Sequence, residues 1–254
     1  MTSDLGTIVD VDGRPVLRFE RRLAASVDRA WRAVTDEDEM AAWFPSRVEG
    51  ERKVGAPLQF PFEGGEAPTF DGEVRVWDPP RVFEFTWHHD VLRFELAPDG
   101  EGTRLTFTQT LVDRSEGART GSGWHVCLGS LGAHLGTPEP EADWGELFHE
   151  YLLRMGPPPA RREGSELVFE RKHHLDPQAL REIVDAWEGA GDWDWRIEAA
   201  AHGCDYEVRI PLADATAAAR SHATLVEIDL YAASGQHVDV DPGDFLEAYE
   251  RLLS

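Results

Sequence analysis

The stretch WDPPRVFEFTWHHDVLRFELAPDGEGTRLTFTQT (77–110) reads as three short β-prone runs separated by turn signals. Asp78-Pro79-Pro80 precedes RVFEFTWHH, and VLRFELAPD ends at Asp99-Gly100, before TRLTFTQT. Alternating apolar and polar residues bounded by Gly, Pro and Asp mark the strands of an antiparallel meander. The rhythm reaches back to position 46, where Gly55 precedes PLQFPF and Gly64-Gly65 precedes TFDGEVRVW. Alternation places Phe60, Phe62, Phe83, Phe85, Trp87, Leu92, Phe94, Leu105 and Phe107 on one face, with Glu84 and Glu95 on the other. A face so aromatic has to be covered.

The expected cover runs from Ser122 to about Leu135. Trp124, Cys127, Leu128, Leu131 and Leu135 recur there at helical spacing, and Gly136-Thr137-Pro138 stops the run. Upstream, VLRFERR (16–22) alternates as a strand does. Ser26 is placed to cap a short helix through Val27, Ala30, Trp31 and Val34. Thr35 or Asp36 caps a second one reaching Trp43, and Trp144 to Met155 carries another apolar stripe through Leu147, Phe148 and Tyr151.

A boundary is expected at Gly156-Pro157-Pro158-Pro159, because consecutive prolines lack amide donors and stiffen a chain. This gives a first domain over 1–155, a Pro-rich linker over 156–164 and a small α+β domain over 165–254. In the latter, LVFERKHHL (167–175) is strand-like, and Asp176-Pro177 opens a helix with Leu180, Ile183 and Val184 on one stripe. Further strands are expected at Trp193–Ala199, Tyr206–Leu212 and Leu225–Ala232. Asp241-Pro242 repeats the helix-opening device before a terminal helix.

Composition removes several function classes. The 254 residues include 25 Lys+Arg and 48 Asp+Glu, a net charge of −23, with 41% hydrophobic and 29% charged residues. That balance suits a globular protein and opposes binding to nucleic-acid phosphates. No apolar run approaches membrane-spanning length, and the first fifteen residues have no signal-peptide pattern. Two cysteines, Cys127 and Cys204, make no disulfide framework. These features together predict a cytoplasmic protein without membrane or nucleic-acid partners.

The order strand, two short helices, meander, long helix resembles the START-like (helix-grip, SRPBCC) superfamily. Within it, residues 1–155 are similar to the homologues of the activator of heat-shock-protein-90 ATPase. The resemblance is carried by LRFERRLAASVDRAWRAVTDEDEMAAWF (17–44), WDPPRVFEFTW (77–87) and, above all, GWHVCLGSLGAHL (123–135). It implies an α+β fold in which a curved antiparallel sheet grips a long helix, enclosing a site for a small apolar molecule. It ends at the proline spacer.

On that reading the ligand-binding residues are Trp43, Phe60, Phe62, Phe85, Trp87, His89, Phe94, Phe107, Gln109, Trp124, His125 and Leu128. The same residue types also make an ordinary filled core, so the pattern alone supports both. His88-His89 and His173-His174 are adjacent on strands and point to opposite faces, which opposes a two-ligand metal site. His202-Gly203-Cys204 lacks a second ligand pair at zinc spacing. Neither a nucleophile elbow nor a phosphate-binding glycine loop occurs. The expected function is therefore binding of a small hydrophobic ligand, with no metal, no cofactor and no catalytic constellation. Two alternatives stay open. One is a polyketide cyclase or aromatase-like enzyme using His89, Gln109 or His125; the other is a chaperone-regulating or other protein-interaction module.

Overall fold

Seven antiparallel strands form the first sheet, in the order β1-β2-β7-β6-β5-β4-β3. The computed structural model describes residues 5–61, 70–87, 90–111, 114–137, 144–155, 160–173, 175–188, 190, 193–199, 204–234, 237 and 239–253. Met1–Tyr151 form one compact unit and Leu152–Ser254 a second.

In the first unit β1 (Thr7–Val11) and β2 (Arg14–Leu23) make a hairpin. Its turn is Asp12-Gly13, both at positive φ, as a tight two-residue hairpin turn requires. Helix α1 (Val27–Thr35) follows, with the Ser26 hydroxyl accepting from the Arg29 amide. Helix α2 (Glu37–Met40) is capped by Asp36, which accepts from the Asp38 and Glu39 amides. Arg52 fastens the next loop to α1. It donates to the carbonyls of Thr35, Val48 and Gly50, each at 2.8 Å, which satisfies a carbonyl at the helix end.

The meander is β3 (Pro57–Phe60), β4 (Phe70–Asp78), β5 (Val82–Trp87), β6 (Asp90–Asp99) and β7 (Gly102–Thr110). Register aligns the aromatic face directly: Phe83 opposes Phe94, Phe94 opposes Phe107, and Phe107 opposes Phe19 of β2. All four are buried. On the outer face Arg93 bridges Glu84 at 2.7 Å and Glu95 at 2.6 Å, so these carboxylates stand away from the core.

Helix α3 (Gly117–His134) covers the inner face. It begins five residues before the expected Ser122, over a glycine-rich stretch of poor intrinsic helicity. Gly117, Ala118, Gly121 and Ser122 are buried, and their small side chains suit close packing. The helix stops where expected. Gly136 takes φ +83°, Gly136 N–H donates to the Ala133 carbonyl, and Thr137 N–H donates to that of Gly132. Helix α4 (Trp144–Met155) then supplies buried Leu147, Phe148 and Tyr151.

The second unit has a four-stranded antiparallel sheet, in the order β10-β11-β9-β8. These strands are β8 (Arg161–Glu163), β9 (Glu166–His173), β10 (Asp194–Ala199) and β11 (Cys204–Pro211). Strand β8 lies inside the stretch read as linker. It pairs with β9 through a tight turn at Gly164, at φ +61°. Arg161 also relieves a like-charge clash, because Glu207 and Glu170 oppose each other in register. Its guanidinium reaches Glu170 at 2.6 Å and Glu207 at 3.1 Å.

Helices α5 (Pro177–Ala186), α6 (Ala215–Ser234) and α7 (Gly243–Leu253) complete this unit. Asp176 and Asp241 accept from the amides two residues on, as their Asp-Pro contexts predict. The expected strand Leu225–Ala232 is instead the second half of α6. The alanine-rich lead from Ala215 has high helix propensity, and Asp214 accepts from the Ala217 amide at 2.8 Å. Once the helix starts there, Leu225, Val226 and Ile228 are buried as part of it.

Candidate functional site

Aromatic rings from four strands, α3 and the turn after α2 meet on the inner face of the first sheet. At one end they pack closely: centroids of Phe94 and Phe107 are 4.8 Å apart, and those of Phe107 and Trp124 4.4 Å. Phe85 lies 4.7 Å from Phe83 and stacks on Phe60 at 5.8 Å. The cluster continues to the end of β5. Trp87 stands 5.5 Å from Phe44, 5.9 Å from Trp124 and 6.3 Å from Phe60. Trp87 is also only half-buried, whereas Phe60, Phe85, Phe94, Phe107 and Leu128 are inaccessible.

The polar groups in this set are arranged in a line. Trp124 Nε1–H donates to Gln109 Oε1, and Gln109 Nε2 donates to Asp90 Oδ2. A glutamine on the buried face thus ties α3 to the sheet through one end of its amide and orients the β5–β6 hairpin through the other. Trp43 Nε1–H donates to the Ala33 carbonyl at 2.9 Å, locking that ring edge-on to Phe94 at 5.8 Å. Trp87 Nε1–H differs: it is buried and has no hydrogen-bond partner among the described residues. The Ser46 hydroxyl, two residues after Phe44, is likewise buried without a partner.

The structure therefore brings together Trp43, Phe60, Phe85, Trp87, Phe94, Phe107, Gln109 and Trp124, and it buries Leu128 one turn further along α3. Phe62 and His89 lie outside the described residues. His125 is one residue past Trp124 and points elsewhere on α3. Its Nδ1 is 3.4 Å from Arg21 Nη2 and 3.3 Å from the Tyr151 hydroxyl. A guanidinium only donates, so Nδ1 acts as an acceptor there. Tyr151 in turn accepts from the Gly6 amide at 2.8 Å. This chain of contacts fastens the N-terminal segment, β2, α3 and α4 together.

Two members of the site went unread in the sequence. Phe44 touches Phe60, Phe85, Trp87 and Trp124, although it follows Trp43 directly. Both rings are buried because they sit in a turn, where neighbouring side chains need not diverge. Asp90 becomes part of the site because it opposes Trp87 in register.

Neither thiol is activated. Burial pushes both Cys127 and Cys204 up to about 11, which leaves them protonated near neutrality. Among the described residues no group of His, Cys, Asp and Glu is placed to hold a metal ion. No helix among them is long and apolar enough to cross a membrane.

The second unit contains a buried polar network that sequence reading passed over. Arg171 on β9 donates to Asp229 at 3.1 Å and approaches His222 Nε2 at 3.3 Å. Tyr206 donates to Asp229 at 2.5 Å, and His222 Nδ1 lies 2.7 Å from the Tyr249 hydroxyl. His222 also stacks on Phe245 at 4.3 Å. These residues are scattered over two strands and two helices, so no local spacing announces them.

Comparison with known proteins finds similarity within the first unit. Residues 24–136 match the family described as Activator of Hsp90 ATPase homolog 1-like protein. CalU16 from Micromonospora echinospora is a similar solved structure, 20% identical with a TM-score of 0.48, over 59% of this chain and 94% of that one. EF2215 from Enterococcus faecalis, described as a conserved protein of unknown function, is 22% identical with a TM-score of 0.49, over 58% and 88%. The Aha1 dimer from Colwellia psychrerythraea is 21% identical with a TM-score of 0.43, over 49% and 98%. No curated protein matches the chain. Residues 24–136 are thus similar to the Activator of Hsp90 ATPase homolog 1-like family, within an α+β chain.

Proposed function

We propose that the first unit binds a small hydrophobic molecule between its sheet and α3, at the end marked by Phe44, Trp87 and Trp124. The observation that carries this reading is an inaccessible aromatic face that ends in one half-buried tryptophan. Phe60, Phe85, Phe94 and Phe107 are inaccessible, whereas Trp87 at the end of β5 keeps part of its ring exposed beside Phe44 and Trp124. Apolar walls with a few fixed polar groups are the usual form of a small-molecule site. Gln109 has both ends of its amide engaged, and His125 is engaged by Arg21 and Tyr151. Both therefore serve better to position groups than to move protons, which favours a binder over a cyclase-like enzyme. The cytoplasm is the expected setting.

Native mass spectrometry of the freshly purified full chain, followed by thermal unfolding with fused-ring hydrocarbons and long-chain alcohols, tests the proposal. A bound molecule or a ligand-dependent rise in unfolding temperature is expected, equivalent to about 2.7 kcal/mol at a hundredfold excess over Kd. Leu128→Trp should abolish the rise by filling the grip. An empty chain with no response to any compound would refute binding and return the interaction-module reading.

A further inference from the structure

We infer that the molecule held in this grip presents a neutral hydrogen-bond acceptor, a carbonyl-type oxygen, to Trp87 Nε1–H, making Trp87 the specificity-determining residue. The inference rests on the binding reading above. Three tryptophans border the same set of rings, and they differ in one respect. Trp43 Nε1 has the Ala33 carbonyl and Trp124 Nε1 has Gln109 Oε1, while Trp87 Nε1 is buried with no acceptor among the described residues. An indole nitrogen is a donor only, so no rotation or tautomer lets it act otherwise. Burial without a partner is the unfavourable state of such a group, and a ligand oxygen reverses it.

The position fits the role. Trp87 ends β5 and is half-buried, so an apolar body resting on Phe44, Phe60 and Trp124 would bring its edge to the indole N–H. Gln109 does not compete for that oxygen, because its amide nitrogen is already given to Asp90. Charge selects against the obvious alternative. Asp90 opposes Trp87 in register, and the chain carries a net charge of −23. A carboxylate or phosphate is repelled there, whereas a ketone, ester or amide oxygen is not. Ser46 gives no such discrimination, since a hydroxyl both donates and accepts.

Fluorene and fluorenone test this, as they share a tricyclic skeleton and differ by a carbonyl. Equilibrium dialysis on the full chain measures both Kd values for wild type, Trp87→Phe, and protein carrying benzothienylalanine at position 87. The last keeps the indole shape, with sulfur in place of N–H, and guards against a misfolded phenylalanine variant. The preference for fluorenone over fluorene should fall about five- to tenfold on either replacement, with fluorene affinity nearly constant. The Trp87 indole proton should move downfield in NMR spectra with fluorenone and not with fluorene. Binding of both compounds with a preference unchanged by the replacements overturns the inference while leaving the grip as a binding site. Binding of neither compound overturns both.

Discussion

Arg171 Nη2 lies 3.3 Å from Nε2 of His222, and the imidazole is fully buried. Because a guanidinium only donates, Nε2 is the acceptor and Nδ1–H is donated to Tyr249. Burial first, and the Arg171 charge second, hold the His222 pKa well below 6.5. The groups facing it from the other elements are Arg171 and Phe169 on β9 and Phe245 and Tyr249 on α7. None of them is an anion, and Asp229 is taken up by Arg171 and Tyr206.

Stability of the second unit should therefore depend on pH. The unfolded chain protonates this histidine near pH 6.5 and the folded unit does not, so the unfolded state binds more protons below that value. The contribution is fully present above about pH 6.5 and is lost on acidification, by up to about 1.4 kcal/mol per pH unit. Amide hydrogen exchange in residues 166–253, followed from pH 7.5 to 5.0, reads this slope in the full chain. His222→Gln should flatten it by one proton; an unchanged slope would mean that another group carries the acid sensitivity.

The Trp124–Gln109 hydrogen bond makes a second prediction. Trp124→Phe leaves Gln109 Oε1 buried and unpaired, and Gln109→Leu leaves Trp124 Nε1 in the same state. Each single change is expected to lower stability by about 1–3 kcal/mol. The double variant should be less destabilised than the sum, with a coupling of at least about 0.5 kcal/mol in urea unfolding. Strict additivity would show that the two side chains are not coupled.

Gly72 and Gly123 should respond to alanine with opposite signs. A Cβ at Gly72 would stand 2.0 Å from the Thr86 carbonyl oxygen and 2.8 Å from the Phe60 ring, next to the register shift between Val74 and Val76. A backbone oxygen cannot swing aside, so Gly72→Ala should cost about 1–3 kcal/mol and disturb Trp87. Gly123 lies within α3 with nothing within 4 Å of its Cβ position. Gly123→Ala should stabilise by about 0.5–1 kcal/mol. Melting temperatures of the two variants decide the matter.

Arg52 offers a test of geometry against charge. Its fork serves three carbonyls at once, from Nε, Nη1 and Nη2. Lysine keeps the charge but cannot reproduce the fork. Arg52→Lys is therefore expected to lose most of the roughly 2 kcal/mol that Arg52→Met loses, measured by denaturant unfolding. Full rescue by lysine would reduce the residue to a point charge.

The meander, the helix caps and the α3 stop were legible because their causes are local. Alternation reports one buried face, Ser26, Asp36 and Asp176 satisfy amides two or three residues away, and Gly136 supplies the left-handed turn. Strand β1 was missed despite its Asp12-Gly13 turn, since Val9 and Val11 are exposed and leave no apolar pattern to read. Leu225–Ala232 misled for the converse reason: an alternating run inside an alanine-rich helix keeps its alternation.

From its residues alone this chain determines an acidic α+β protein with an aromatic sheet face and a helix to cover it, because periodicity and capping act over a few positions. Tertiary structure decided which rings meet, that His125 joins Arg21 and Tyr151, and that Trp87 is left without an acceptor among the described residues. It also assembled Arg171, His222 and Tyr249 from three separate elements. Side-chain partnership of that kind depends on strand register and helix rotation, which are set only when the whole core packs.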